Sequence, residues 1–541
     1  MKGESMNKYK MLFVFIITLY SLLPVLLYSQ SVDTAWVRFY KGPGNGWDKS
    51  YALTVDNTGN VYVTGTSYGN SWDCATVKYS PTGESLWARR YDGPAQGEDE
   101  LYAIACDYTG NVYVTGGSAD SVNYWDCVTI KYNSAGATQW IARYDGIGHD
   151  DDWANDIVLD GAGNVYITGT SVSTWPTFNI VTIKYNTAGV EQWVKRYSGT
   201  AGTINEAYAI ERDNLDNIYV SGTKNRVNGP YSSDIITIKY NSNGDTLWTR
   251  TYAGPNPAGL EEAYDLVVDN SHNVYITGKT SSNGDDCITI KYNSAGETAW
   301  VRTYNGTASY GDYGAAIALD GSNNVFVAGM CNDTIGSTDC LLIKYNTSGQ
   351  TLWTRNYNYT GSRPDWANDV AVDGSGNAYI TGMTNAGSAT TNCDFLTVKF
   401  NSTGIVEWVK RYNHSVNEDD EAFDIALDNS GNVYVTGAAG NGAWATIKYV
   451  QGSGIEENSP VNQLNLPRKI YPNPAKTFFT IRLPHSADRS EIKIFDVMGN
   501  IVKSEELKEK NNRVSLDGIK NGVYFVKVGD EIVKEKLVVT K

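Results

Sequence analysis

The stretch Asp56-Asn-Thr-Gly-Asn-Val-Tyr62-Val-Thr-Gly65 decides the fold, because close variants of it return along the whole chain. Its aromatic falls at Tyr62, Tyr113, Tyr166, Tyr219, Tyr275, Phe326, Tyr379 and Tyr434, at spacings of 51 to 56 residues. A small, apolar run ending in Asp stands before each copy, closing at Asp56, Asp107, Asp160, Asp213, Asp269, Asp320, Asp373 and Asp428. Two more phrases recur with it, eight times each. One is Thr-Ile-Lys-Tyr or a variant, ending at Tyr79, Tyr132, Tyr185, Tyr240, Tyr292, Tyr345, Phe400 and Tyr449. The other is Trp-x-x-x-Tyr, led by Trp36, Trp87, Trp140, Trp193, Trp248, Trp300, Trp353 and Trp408. Every phrase is short, β-branched or aromatic, and bounded by Gly, Asn, Asp or Ser, which are strand signals. No stretch before residue 450 keeps a helical period.

One repeat therefore predicts four antiparallel strands: A (ending in Asp), B (Asn-Val-Tyr), C (Ile-Lys-Tyr) and D (Trp). A joins B by a tight hairpin in which Asp bonds to amides ahead of it and Gly or Asn takes left-handed dihedrals. C joins D as tightly, through Asn133-Ser-Ala-Gly136 and its copies. A sheet of about fifty residues cannot bury both faces alone, and packing such sheets radially solves this. The first phrase is a D strand at Trp36 and the last a C strand at Tyr449. The N-terminal strand is thus expected to complete the last blade and close the ring, covering exposed edges. The fold expected is all-β: an eight-bladed β-propeller of four-stranded antiparallel blades over 31–450, plus a small C-terminal β-sandwich.

The ends differ from the repeats. Lys2, Lys8 and Lys10 precede an apolar run at 11–27, and small or polar residues follow, so 1–30 reads as a signal peptide cleaved near Ser29 or Gln30. An uncleaved anchor is the alternative, since the run is close to spanning length. No Cys follows to make a lipoprotein. Residues 451–468 contain Gly452, Gly454, Pro460 and Pro467 and read as a linker. From 469 onward short alternating strands appear, such as 479–483, 492–495 and 522–528, which predict a compact sandwich. The chain's net charge is −16, and it is uneven. Residues 31–468 carry 27 Lys/Arg against 49 Asp/Glu, while 469–541 carry 14 against 10. An acidic body of this kind argues against nucleic acid, whose phosphates it repels.

The pattern Trp-x-Arg-x-Tyr, Asp-x-x-Gly-Asn-Val-Tyr-Val-Thr-Gly and Lys-Tyr-Asn resembles the bacterial β-propeller repeat family called SBBP, across 31–450. That family's name implies seven blades, whereas every strand here occurs eight times. The resemblance implies a secreted or surface protein. The tail, with Tyr471-Pro-Asn-Pro474, Ile494-Phe-Asp-Val-Met-Gly499, Gly522-Val-Tyr524 and Lys536-Leu-Val-Val-Thr-Lys541, resembles the type IX secretion C-terminal sorting domain, type A, of Bacteroidetes. It implies that residues 469–541 engage the type IX machinery and that the protein reaches the extracellular space or the outer-membrane surface. No permanent membrane span is expected after signal cleavage.

Chemistry is sparser. Gly65-Thr-Ser67-Tyr-Gly69 matches a nucleophile elbow, but that needs a strand-to-helix turn, absent from a B–C connection. His149, His272, His414 and His485 are not spaced as metal pairs. Of seven Cys, Cys331 and Cys340 flank one loop closely enough to pair, whereas Cys74, Cys127, Cys287 and Cys340 hold one equivalent position in different blades.

The informative polar feature is a carboxylate near the start of strand A: Asp48, Asp99, Asp152, Glu261, Asp312, Asp365 and Asp420, with Asn205 at the equivalent position of the fourth copy. A second acidic set precedes strand C, at Asp73, Asp126, Asp234, Asp286, Asp339 and Asp394, and Asp156, Asp265, Asp369 and Asp424 lie within strand A. Two readings stand: the side chains fix the long D–A and B–C loops through backbone hydrogen bonds, or they hold a divalent cation such as calcium at the channel mouth. Trp47, Trp72, Trp125, Trp153, Trp175 and Trp366 sit on the same loops, to pack between them or to stack on sugar rings. The functional expectation is a secreted or cell-surface binding or scaffold protein for a glycan or protein ligand, with no cofactor established. The alternative is a polysaccharide- or peptide-degrading enzyme using channel carboxylates as acid and base.

Overall fold

A computed structural model describes residues 32–120, 124–226, 232–281, 284–307, 311–332, 337–358, 364–385, 393–414, 418–440 and 442–452 of the repeats, and 470–471, 475–482, 490–496, 501–507, 511–528 and 531–540 of the tail. The proposed signal peptide, all but two residues of the proposed linker, and His485 lie outside these. The chain divides into two units, Met1–Ile455 and Glu456–Lys541.

The first unit contains eight four-stranded antiparallel sheets. Blade 1 is Lys49–Val55 (A), Val61–Tyr68 (B), Trp72–Tyr79 (C) and Ser85–Tyr91 (D), hydrogen-bonded in that order. Blades 2 to 7 repeat it over 99–144, 152–197, 205–252, 262–304, 313–357 and 365–412. Blade 8 takes A, B and C from 421–451, and its D strand is Val32–Tyr40, with Trp36 opposite Lys448. Each A strand packs on the A strands of both neighbours, the last on the first, so the ring is closed with A innermost. Eight apolar cores lie between blades, one per seam. A typical core joins Tyr62, Cys74 and Trp87 of blade 1 to Leu101, Val112, Val128 and Tyr132 of blade 2.

Two features explain the repeated phrases. Strand A bulges, skipping one residue of its register at Tyr51 and its equivalents. The bulge brings the A backbone so near strand B that a Cβ on Gly65 would lie 2.0 Å from Lys49 O, and 1.9 Å from Glu100 O on Gly116. The Thr-Gly ending of strand B is thus a close-approach glycine. In the A–B turn, Gly59 sits at φ 79°, and Asp216 and His272 take the same left-handed place at 60° and 63°.

The tryptophans lock blade to blade. Trp87 Nε1–H donates to Ser134 O of blade 2 at 3.2 Å, and Trp36, Trp140, Trp193, Trp248, Trp300 and Trp353 make the equivalent bond to the next C–D turn. Trp408 is the exception. Its neighbour, blade 8, has no C–D turn, because its D strand comes from the other end of the chain. Among the described residues the buried Trp408 Nε1 has no acceptor, and Lys399 bonds to Gln451 instead of a turn carbonyl, at 2.6 Å.

A second set of locks runs around the inner strands. Asp265 accepts Leu266 N–H at 2.7 Å in its own blade and Ile317 N–H at 2.8 Å in the next. Asp156 does the same with Ile157 and Ile210, and Asp369 with Val370 and Ile425. Asp424 closes the circle onto Leu53 at 2.6 Å. Burial pushes the Asp265 carboxyl up to about 8 against the pull of Ile317 N–H, with Asp369 and Asp156 adding to the rise. Burial and the neighbouring Asp369 likewise raise Asp424.

The second unit has a three-stranded and a four-stranded antiparallel sheet. Their core is built from Phe479, Ile492, Ile494, Val514, Tyr524, Val526 and Leu537. Among the described residues there is no helix, and none long and apolar enough to cross a membrane.

Two outcomes follow. Trp87→Phe removes one of the two donors to Ser134 O, leaving Lys78 Nζ at 3.1 Å, and is expected to cost about 1 kcal/mol in chemical denaturation, whereas Trp408→Phe, which breaks no such bond, costs distinctly less. The second concerns pH. A folded-state carboxyl raised from 3.8 to about 8 keeps a proton that the unfolded chain has lost, so its contribution is full below pH 4 and drains away as pH rises to 8. Asp265→Asn should flatten the fall in Tm across that window, measured by calorimetry from pH 4 to 9.

Candidate functional site

The D–A and B–C connections gather on one face of the ring, and the other face carries the tight A–B and C–D turns. The acidic residues at the start of strand A are buried and are distributed one per seam. Five of them tie down the loop before them. Asp48 accepts Gly42 N–H at 2.7 Å and Tyr68 N–H at 2.5 Å. Asp99 and Asp152 accept Gly93 and Gly146 N–H at 2.7 and 2.5 Å. Asp312 accepts Gly306 and Asn332 N–H, and Asp420 accepts His414 and Gly440 N–H. Glu261 is ion-paired to Arg226 at 2.5 Å, and Asp365 is buried at its own seam. The seven do not converge on one point. In the second acidic set Arg90 pairs with Asp73 at 2.5 Å, Arg143 with Asp126 at 2.8 Å, and Arg411 with Asp394.

The tryptophans separate into three groups. Trp47 is half exposed, and its carbonyl accepts Trp72 Nε1–H at 3.1 Å while Trp72 lies edge-on to Tyr68. Trp366 donates to Glu421 at 3.2 Å. Trp125 and Trp153 come together: with Tyr102, Asp151 and Asn155 they line a cavity of about 350 Å³ between blades 2 and 3. Asp151 Oδ1 accepts Trp125 N–H at 3.0 Å, and Asn155 Nδ2 donates to Ala207 O at 2.7 Å, so both polar side chains are oriented by protein. Phe178 stands edge-on to Trp153 at 6.1 Å and to Trp175 at 5.4 Å, with Trp175 69% exposed. The aromatic surface thus runs outward from the cavity.

Tyr102, Asp151 and Asn155 escaped the sequence reading. A signal existed for the first: five residues before five of the eight closing Asp stand Tyr51, Tyr102, Tyr208, Tyr264 and Phe423. These rings meet around the axis, Phe423 with Tyr51 and Tyr51 with Tyr102 at 6.0 and 5.6 Å. Glutamates two residues earlier accept the tyrosine hydroxyls, as Glu100 does from Tyr102 at 2.8 Å and Glu262 from Tyr264 at 2.6 Å.

Other residues resolve simply. Ser67 lies within strand B, buried and bonded to Arg90, with no helix after it. His149 pairs with Asp145 at 2.7 Å, His272 with Asp213 at 3.2 Å, and His414 with Tyr412 at 3.0 Å. All seven cysteines, Cys331 and Cys340 included, are free thiols.

Comparison with known proteins agrees with these two units. Residues 469–540 match the family described as Secretion system C-terminal sorting domain, and residues 139–174 and 353–388 match Beta-propeller repeat, SBBP. An uncharacterised WD repeat-containing protein of Acanthamoeba polyphaga mimivirus is 24% identical over 456 residues, 67% of this chain and 31% of its own. Beta-agarase A of Zobellia galactanivorans is 24% identical over 351 residues, 57% of this chain and 61% of its own. The chain thus spans less than two thirds of either curated relative. Among solved structures, PorZ, a surface component of the type-IX secretion system of Porphyromonas gingivalis, aligns at TM-score 0.38 and 13% identity, over 92% of this chain and 74% of its own. The chain carries SBBP β-propeller repeats in its ring and the type IX secretion system's C-terminal sorting domain in its tail, which marks it for export to the cell surface or the extracellular space.

Proposed function

We propose that this exported propeller is a saccharide-binding protein and that the cavity between blades 2 and 3 is its recognition site. The observation that carries the reading is the convergence of Trp125, Trp153 and Tyr102 around one cavity with Asp151 and Asn155. Sugar rings present flat C–H faces that pack on indole and phenol rings, while their hydroxyls need oriented donors and acceptors. The cavity offers both, and its volume is in the range of small-ligand sites, which begins at about 300 Å³. Phe178 and Trp175 extend the apolar surface away from it, which suits a chain of sugars better than a single one. That one curated relative is named for acting on agar is in keeping with a saccharide ligand. The proposed cleavage of residues 1–30 and export by way of residues 469–541 would deliver the site outside the cell, where polysaccharides are met.

The test is affinity electrophoresis and calorimetry against a panel of soluble galactans, xylans, mannans and glucans. Trp153→Ala is expected to weaken binding of whichever glycan is recognised about tenfold or more, the loss of an aromatic stack worth about 0.5–1.5 kcal/mol plus its buried area. Trp47→Ala, on the same face but outside the cavity, should bind as the parent does. No binding across the panel, or equal loss in both variants, overturns the reading.

A further inference from the structure

We infer that two of the eight seams each bind a hard divalent cation, calcium being the natural occupant, and that the one between blades 2 and 3 supports the saccharide cavity; this last part rests on the function proposed above.

The repeat supplies its own controls. At each seam three positions approach one another: the residue just inside strand C, the residue after strand D, and the residue at the start of the next strand A. Between blades 1 and 2 they are Asp73, Asp92 and Asp99; between blades 2 and 3 they are Asp126, Asp145 and Asp152. In both triplets an oxygen from each carboxylate lies within 4.8 Å of the others. Elsewhere the same positions are arranged so that no third carboxylate is present. Asn305, Asn358 and Asn413 hold the middle place at the next three acidic seams, and Asn358 Nδ2 donates to Asp339 Oδ1 at 2.6 Å. Between blades 4 and 5 the middle residue is Ala253, and Arg226 bridges Asp234 and Glu261 at 2.5 Å each. Between blades 3 and 4 the three are Asn179, Ser198 and Asn205, and at the closure Lys41 takes the middle place.

Putting Asp where three sister seams have Asn exchanges an amide donor for an acceptor. Arg90 and Arg143 supply one guanidinium each, and the exposed His149 imidazole reaches Asp145 in the second triplet, against three carboxylates in each. An independent observation marks what is missing. Asp152 is wholly buried; its Oδ2 is held by Gly146 N–H, and beyond the neighbouring Ser171 hydroxyl its Oδ1 has no donor. Asp99 is in the same condition, with Oδ2 on Gly93 N–H and only the Ser118 hydroxyl beside its carboxylate otherwise. A buried carboxylate oxygen in that state is costly unless a cation meets it. Three carboxylates with a solvent-reachable member, Asp145, suit an ion that takes oxygen ligands at roughly 2.3–2.6 Å and completes its shell with water.

The position of the second triplet gives it a consequence. Asp126 follows Trp125, and Asp152 lies between Asp151 and Trp153, so the ion would sit directly behind the wall of the cavity.

The experiment is calorimetric titration of the full chain with calcium chloride alone, from a chelated start. Two ions per chain are expected, at an affinity of about 1 mM or tighter. Asp92→Asn and Asp145→Asn should each remove one, and the double variant both, along with any calcium-dependent rise in Tm. These substitutions install the residue that three other seams already carry, so a retained β-sheet spectrum is expected. Asp145→Asn should also weaken the saccharide, and Asp92→Asn should not. No calcium bound at several millimolar, or unchanged stoichiometry in the double variant, overturns the cation sites. Two ions bound with no saccharide recognised supports the sites and overturns only the reading they would serve.

Discussion

A four-stranded sheet with two apolar faces has no stable existence of its own, and everything in the ring follows from giving each face a neighbour. Seven seams are satisfied by sequence order alone. The eighth exists because Val32–Tyr40 pairs antiparallel with Ala443–Gln451. That pairing costs loop-closure entropy over the whole repeat array, but the cost rises only with the logarithm of length. In return it puts Trp36 and Trp444 into a buried core shared by blades 8 and 1. Without it the first and last blades would each expose a face and a strand edge to water.

The ring sorts polar chemistry by depth and by face. On the tight-turn face, the closing Asp of strand A caps its own hairpin: Asp56 accepts Thr58 and Asn60 N–H and the Tyr62 hydroxyl. Although burial alone would raise it, those donors hold its carboxyl below the usual range. Around the inner strands and on the loop face, carboxylates with fewer donors are raised instead, as at Asp265 and Asp152. One residue type thus does opposite electrostatic work according to how many N–H and O–H groups its position supplies. Stability rests on the first kind, and recognition has the second kind to draw on.

The fold was almost wholly legible in the chain, because a property repeated eight times averages out the ambiguity of any one copy. Tyr62 and its equivalents, Trp87 and its equivalents, and Gly65 beside the bulge each announce a strand that one copy alone would leave uncertain. The C-terminal sandwich was legible from its ordered phrases. The site was legible only in part, for the same reason turned round. Recognition lives where copies differ, and a difference carries no periodic signal. Trp125 and Trp153 were visible as loop aromatics, but nothing in their spacing joined them to each other or to Tyr102, since they meet across a seam. Trp47, Trp72 and Trp366 carried equal weight in the sequence, yet the indoles of Trp72 and Trp366 are spent on Trp47 O, Tyr68 and Glu421, and Trp47 stands outside the cavity. Two members of each seam triplet were split between the two acidic sets, 26 positions apart as Asp126 and Asp152 are, and the third, Asp92 or Asp145, belonged to neither.

Blade 8, made from both ends of the array, also sets a timetable. While the chain is being made, Val32–Tyr40 has no partner until residue 443 and its successors have emerged, and blades 1 to 7 can stack only into an open arc. The clasp must therefore be the final event of ring assembly.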